Sequence, residues 1–400
     1  MAFGFIKSQV NYVKNPSFEY ASNCGDPFGG FITLATPWDT LHNGGGYGIE
    51  MNKCYPQSSN CGVPYNLSGG GYQVPRTGNA YAYMIFLKFT PNPAVNWRGY
   101  IQQKMANKLT AGKSYCVTYW ASLVNYVNYG VDELSGYFDD GSIQSIGVAK
   151  EAIANPQVKS PSGVFYADTL KWMKVQGSFT ANGTEEYITI GNFRTTAATT
   201  FTALDGNTTA GIASYFIDDV SVIETNLPAF AGADKYVILG DSVFIGRPSE
   251  IGLDDDCFWY KLPNTTTPID TVAGLWVKPV VTTTYVVKQD ICGTVKWDTV
   301  VVNKGYVGLN ELVIKNDNII LSPNPVNEKL NIQFNINDLD KEFTKAEIIN
   351  SVGQLVRIID LNYINKQAVI DIKELSNGVY LLNLKSNKSQ SINKRFVVTK

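Results

Sequence analysis

YFIDDVSV, residues 215–222, packs aromatic and β-branched side chains together and then sets two carboxylates in the middle of the run. Tyr, Phe, Ile and Val suit the pleated, half-buried surface of a sheet. SYFIDDVSVI (214–223) therefore reads as a strand that has to accommodate Asp218 and Asp219. Far upstream, NPSFEY (15–20) places a single acidic side chain, Glu19, in what reads as a short apolar strand. Between the two stretches, KSYCVTYWASL (113–123), WMKVQGSF (172–179) and EYITIGNF (186–193) read as further strands by the same enrichment. Turns such as NLSGGGY (66–72) and TANGTE (180–185) carry glycines where a positive φ is expected. Many short strands within residues 10–225 predict a jelly-roll β-sandwich.

The composition agrees. Apolar residues make up 44% and charged residues 17%, with 23 Tyr and 19 Phe and no long Ala/Leu/Glu/Lys-rich segments. That balance favours an all-β chain. Four hundred residues exceed one hydrophobic core, so two to four domains are expected. The formal net charge of −2 leaves no basic footprint for nucleic acid. No run of eighteen apolar residues is present to cross a membrane as a helix. AFGFI (2–6) reads as the tail of a secretory apolar region without its basic flank, so residues 1–9 are taken as a signal-peptide remnant.

After a linker at ETNLPAFAGADK (224–235), residues 226–304 supply YVILGDSVFIG, CFWYKL, LWVKPVVTTTYVVKQ and KWDTVVV. Six or seven short strands in so short a segment predict a small Ig-like sandwich. A second linker (305–318) precedes residues 319–400, where IILSPNP, EKLNIQFNI, KAEIINSVGQLVRIIDL, AVIDIKEL, GVYLLNLKS and KRFVVTK predict another Ig-like sandwich. Gly353 in SVGQL falls where a hairpin turn is wanted.

The six cysteines form no CxxC pair, and His42 is the only histidine, so a zinc site of ordinary spacing lacks its ligands. Disulfides in an oxidising compartment are the better reading. Cys257 and Cys292 are the only two in their segment and are expected to pair, at about 3–4 kcal/mol for a loop of that length. Cys24, Cys54, Cys61 and Cys116 admit three connectivities.

Three resemblances follow from these stretches. LSPNP (321–325), IINSVGQLVRIIDL, IDIKELSNGVYLLNLKS and the terminal KRFVVTK resemble the type A sorting domain of type IX secretion substrates of Bacteroidota. That resemblance implies export across the outer membrane, handling by the secretion machinery and its sorting peptidase, and a secreted or cell-surface product. AGADKYVILGDSVFIG and KPVVTTTYVVKQDICGTVKWDTVVV are similar to PKD-like or Ig-like modules, which implies a spacer. NPSFEY, LKWMKVQGSFTANGTEEYITIG and YFIDDVSV resemble the carbohydrate-binding jelly rolls of the family 4/9 type, within the galactose-binding-like fold. In those families a structural Ca²⁺ is held by this pairing of Glu and Asp, which implies Glu19, Asp218 and Asp219 as ligands here. Carboxylates crowded at adjoining strands repel unless compensated, and Ca²⁺ accepts such oxygens at flexible geometry.

A glycan-binding jelly roll needs flat rings, since sugars present apolar C–H faces to Trp and Tyr. Trp38, Trp97, Tyr100, Tyr126 and Tyr129 lie in or beside loop-like stretches, with Arg98 as a neighbouring donor, and are the expected ligand-binding residues. Asp39, Asp132, Glu133, Asp139 and Asp140 are available as a hydrolytic pair, but none sits in a hydrolase motif. His42 has no GxSxG partner. The expected function is non-catalytic recognition of polysaccharide or surface glycan. The alternatives are an adhesin or matrix protein that binds protein partners and, behind it, a glycan-cleaving enzyme.

Overall fold

The computed structural model describes residues 10–21, 30–41, 50–54, 62–66, 71–90, 97–143, 151–206, 211–238, 240–305, 319–334, 343–362, 366–386 and 391–400. Residues 1–9, Cys24, His42, Cys61 and the 306–318 part of the expected linker lie outside that set, as does the side chain of Cys54. The chain forms two compact units, Met1–Gly305 and Tyr306–Lys400. Both are built from β-sheets, antiparallel except where Lys235–Ile238 runs parallel to Thr294–Gly305, and the helices among the described residues are short 3-10 turns, as the composition predicts.

The first unit opens with the expected jelly roll. One sheet orders the strands Gly30–Phe31, Glu50–Cys54, Ala80–Phe89, Gly211–Glu224, Ser114–Leu123 and Met173–Thr180. The facing sheet orders Val158–Lys159, Ser135–Asp139, Tyr187–Gly191, Tyr100–Lys104 and Asp39–Thr40. Gly211–Glu224 is the central strand, paired on both sides, and every residue from Ala213 to Ile223 is buried. Consecutive apolar residues such as Tyr215–Ile217 are used on it because both of its faces are covered. Tyr215 and Ile217 join the inter-sheet core, while Phe216 packs with Tyr81, Tyr83 and Val124 on the other side.

The central strand is interrupted at the acidic doublet. Its pairing with Ser114–Leu123 steps from Asp218↔Trp120 to Ser221↔Thr118, so it carries one residue more than its partner: a β-bulge. Asp219 takes φ 51°, the left-handed region that Asp tolerates better than most residues. NPSFEY, by contrast, is not a strand. Residues 12–18 are bends and turns, with Asn15 and Phe18 at positive φ. The Asn15 side chain holds the turn by accepting from the Tyr20 amide (3.0 Å) and donating to the Tyr20 and Thr36 carbonyls. Backbone bonds still tie this segment to the last strand, from Tyr12 N–H to Val222 O and from Val220 N–H to Pro16 O.

The Ig-like sandwich follows in the same unit. Lys235–Ile238, Thr294–Gly305, Thr283–Ile291 and Cys257–Lys261 form one sheet, and Val243–Gly246 with Gly274–Val277 form the other. Trp259 is fully buried and donates to the Val272 carbonyl. The cluster around Trp259 includes Cys116 and Ile223 of the jelly roll, so the apolar interior runs from one sandwich into the other. A spacer was expected at 226–304, and the shared interior docks this sandwich against the jelly roll.

The second unit has its own core. Ile319–Ser322, Lys329–Phe334 and Gln367–Asp371 face Leu355–Asp360, Phe343–Asn350, Gly378–Ser386 and Ser391–Val398 around Leu330, Ile332, Ile348, Leu382 and Phe396. Gly353 sits at φ 83° in the Asn350–Gln354 turn, where only a residue without Cβ is unstrained. Lys394 and Arg395 lie on an edge strand, where charged side chains discourage further pairing.

Candidate functional site

Glu19 and the acidic doublet converge on one short segment, Arg76–Ala80, which leads into the strand Ala80–Phe89. Glu19 Oε1 accepts from the amides of Asn79 (2.7 Å) and Ala80 (2.9 Å). Asp218 accepts from the amides of Arg76 and Asp219. Asp219 accepts from the Thr77 hydroxyl and pairs with Arg76 Nη1 at 2.5 Å. Burial pushes the Asp218 carboxyl well above the usual range, and the neighbouring Asp219 charge adds to the shift. Asp219 is also raised by burial, with the Thr77 and Arg76 contacts pulling it back.

The positive charge that answers this doublet is Arg76. Its guanidinium lies 3.9 Å over the Trp120 ring and reaches on to Asp255 of the Ig-like sandwich at 2.6 Å. A shared Ca²⁺ was expected here; in this structure each oxygen of the two Asp side chains accepts from an N–H or O–H group. Among the described residues no group of three or more His, Cys, Asp or Glu side chains comes together to hold a metal. RTG at 76–78 carried no motif, and the arginine is recognisable only once the bulge is known.

The aromatic expectations divide by burial. Trp38, Tyr100 and Tyr129 are fully buried. Trp38 packs on Phe18 and donates to the Asn15 carbonyl, Tyr100 donates to Asn192 O, and Tyr129 stacks on Phe201 at 4.2 Å. None of the three shows a ring face to solvent, so they are core residues rather than sugar platforms. Arg98 is buried as well, its guanidinium donating to the Phe86 carbonyl and to the Thr196 and Thr199 hydroxyls. Trp97 is half-buried, with the Lys88 ammonium 3.8 Å from its ring. Tyr126 is 83% exposed.

The carboxylates considered for hydrolysis are engaged in local structure. Asp132 and Glu133 share the Arg194 guanidinium. Asp139 accepts from the amides of Gly141 and Ile143, Asp140 from Ser142 and Asp39 from Thr40.

The expected Cys257–Cys292 bond is not formed. Cys292 pairs with Cys116 of the jelly roll across 176 residues, and Cys257 is a buried free thiol that desolvation pushes up to about 12. The expectation treated each sandwich as self-contained. Cys292 instead occupies the turn that faces the jelly roll, within reach of Gly177 O.

Close to Glu19 a cleft of 730 Å³ opens between the jelly roll and the Ig-like sandwich. Lys14, Glu19, Tyr20 and Thr36 line it from one side, and Ser249 and Glu250 from the other. The Tyr20 ring is 77% exposed. Nothing local in NPSFEY distinguishes Tyr20 from a strand residue, so the sequence singles out Glu19 alone. Once Phe18 turns into the core at positive φ, Glu19 and Tyr20 are left facing outward.

Residues 321–399 match the secretion system C-terminal sorting domain. The second unit is therefore the address for type IX secretion, and the chain is exported to the cell surface or the extracellular space. No helix among the described residues is long and apolar enough to cross a membrane. No curated protein matches the chain. Among solved structures, the CBM22-1 xylan-binding domain of Paenibacillus barcinonensis Xyn10C aligns with 52% of this chain and 90% of its own, at 11% identity and a TM-score of 0.25. The K1 cleaved adhesin domain of Lys-gingipain from Porphyromonas gingivalis aligns with 52% of this chain and 95% of its own, at 12% identity and a TM-score of 0.28. The adhesin domain of Epf from Streptococcus pyogenes aligns with 80% of this chain and 76% of its own, at 9% identity and a TM-score of 0.17. At these values the likeness assigns neither ligand nor activity.

Proposed function

We propose that this exported chain is a non-catalytic binding protein that recognises polysaccharide or surface glycan through its N-terminal jelly roll. One observation carries the reading: a 730 Å³ cleft that combines an exposed tyrosine ring with an ammonium and two carboxylates. Its volume lies within the range of small-ligand sites. A sugar ring offers an apolar face for stacking and a rim of hydroxyls that both donate and accept, and this lining answers each of those needs.

The test is a glycan array probed with the whole chain. Retention of at least one polysaccharide class, with the polymer recovered uncut, is the expected result. Failure to retain any polysaccharide refutes the reading, and release of shortened products refutes its non-catalytic part.

A further inference from the structure

We infer that the Ig-like sandwich supplies one wall of the binding site and that the cleft takes a neutral saccharide. This rests on the glycan-binding reading above and goes further by naming the ligand class and giving the second sandwich a share in recognition.

The two walls are fastened to each other. Glu250 Oε1 accepts from the amides of Val10 (2.8 Å) and Asn11 (2.7 Å) at the root of the jelly-roll wall. The Asn11 side chain donates to Ile251 O on one side and to Val220 O on the other. The loop that carries Ser249 and Glu250 is itself pinned by Asp254. That carboxylate accepts from the Ser249 hydroxyl (2.5 Å), the Glu250 amide (3.2 Å) and the Ala273 amide (2.8 Å). The Cys116–Cys292 bond and the Arg76–Asp255 pair hold the same two sandwiches together elsewhere. The cleft is thus formed before any ligand arrives, which lowers the ordering cost of binding.

The charges select the ligand. Among the described residues the lining holds one ammonium, Lys14, against two carboxylates, Glu19 and Glu250. A net negative cleft disfavours uronate and sulfate groups. Each carboxylate has an oxygen besides the one occupied by backbone N–H groups, suited to accept from sugar hydroxyls. The Tyr20 ring supplies the apolar platform.

The test uses the whole chain in affinity electrophoresis and titration against xylan, β-glucan and mannan as neutral polymers. Polygalacturonate and heparin serve as anionic ones, and chitosan as a cationic one. Three variants are compared: Tyr20→Ala; Ser249→Trp, which fills the cleft from the Ig-like side; and Tyr126→Ala as an exposed aromatic outside the lining. Thermal midpoints establish that each variant is folded. The expected result is binding to a neutral polymer, weakened roughly tenfold by each cleft variant and unchanged by Tyr126→Ala. If a polymer is bound but Tyr20→Ala and Ser249→Trp leave binding intact, the site is elsewhere, and the inference falls while glycan binding stands. Preference for polygalacturonate, heparin or chitosan overturns the neutral class. Binding to no polymer removes both.

Discussion

Replacing Arg76 by Met isolates the charge that closes the jelly roll. Methionine keeps apolar contact with Trp120 and removes the guanidinium from between Asp219 and Asp255. The Asp219 side chain is 1% exposed and that of Arg76 18%, so the pair is close to buried. Removing one partner of a buried pair costs about 3–5 kcal/mol. The half-exposed contact to Asp255 adds no more than about 1 kcal/mol. We expect a loss of roughly 3 kcal/mol, the low end, because Thr77 still donates to Asp219. At about 1.6 °C per kcal/mol for a unit the size of Met1–Gly305, the midpoint falls by roughly 5 °C. The sign with pH follows from burial. Asp219 already titrates above its ordinary value, and without Arg76 it titrates higher still. A group raised on folding stabilises below its unfolded pKa and loses that contribution as pH rises through the folded pKa. The deficit of the variant is therefore full near neutrality and shrinks as the pH is lowered toward the carboxylate range. Thermal unfolding followed by near-UV circular dichroism, at neutral and at acid pH, reads both effects. Adding Asp219→Asn should restore most of the loss at neutral pH. An Arg76→Met variant as stable as wild type at neutral pH, or a loss of equal size at both pH values, would refute the reasoning.

Other outcomes follow from the same contacts. A chelator should leave the wild-type unfolding midpoint unchanged, because Arg76 supplies the positive charge at the doublet; a drop of several degrees that added Ca²⁺ reverses would contradict this. Peptide mapping without reduction should recover Cys116 joined to Cys292. Cys257, with its thiol near 12, should be alkylated only after unfolding. Cys292→Ser should destabilise the first unit by up to about 5 kcal/mol in the chain-entropy account of so long a loop, measured by urea unfolding. Deleting residues 321–399 should leave the protein inside the outer membrane, as scored by cell fractionation; continued release would count against the sorting role.

How much of this was legible in the sequence depends on how local each cause is. The strands around 113–123, 172–179, 186–193 and 214–223 were readable because aromatic and β-branched enrichment is a local signal. The sorting unit was readable because four short motifs fall in order. The meeting of NPSFEY with YFIDDVSV was also foreseen, and the bonds from Tyr12 and Val220 realise it. What failed was the rest of what long-range partners decide. Trp38, Tyr100 and Tyr129 sit beside turn-like residues, yet their rings point inward, and no local pattern reports that. Arg76 became the counter-ion because a bulge re-aims Asp219, and a bulge leaves little trace in a single sequence. The disulfide was misassigned because pairing within a segment presumes independent modules, whereas Cys116 and Cys292 belong to one shared interior. Glu19 was singled out and Tyr20 beside it was not, although the outward turn exposes both.

A crystal of the whole chain soaked with an oligosaccharide from whichever neutral polymer it retains puts the joint site to the most direct trial. Density for a sugar ring against Tyr20, within hydrogen-bond reach of Glu250, is the predicted outcome. Density over Trp97 or Tyr126 with an empty cleft would contradict it.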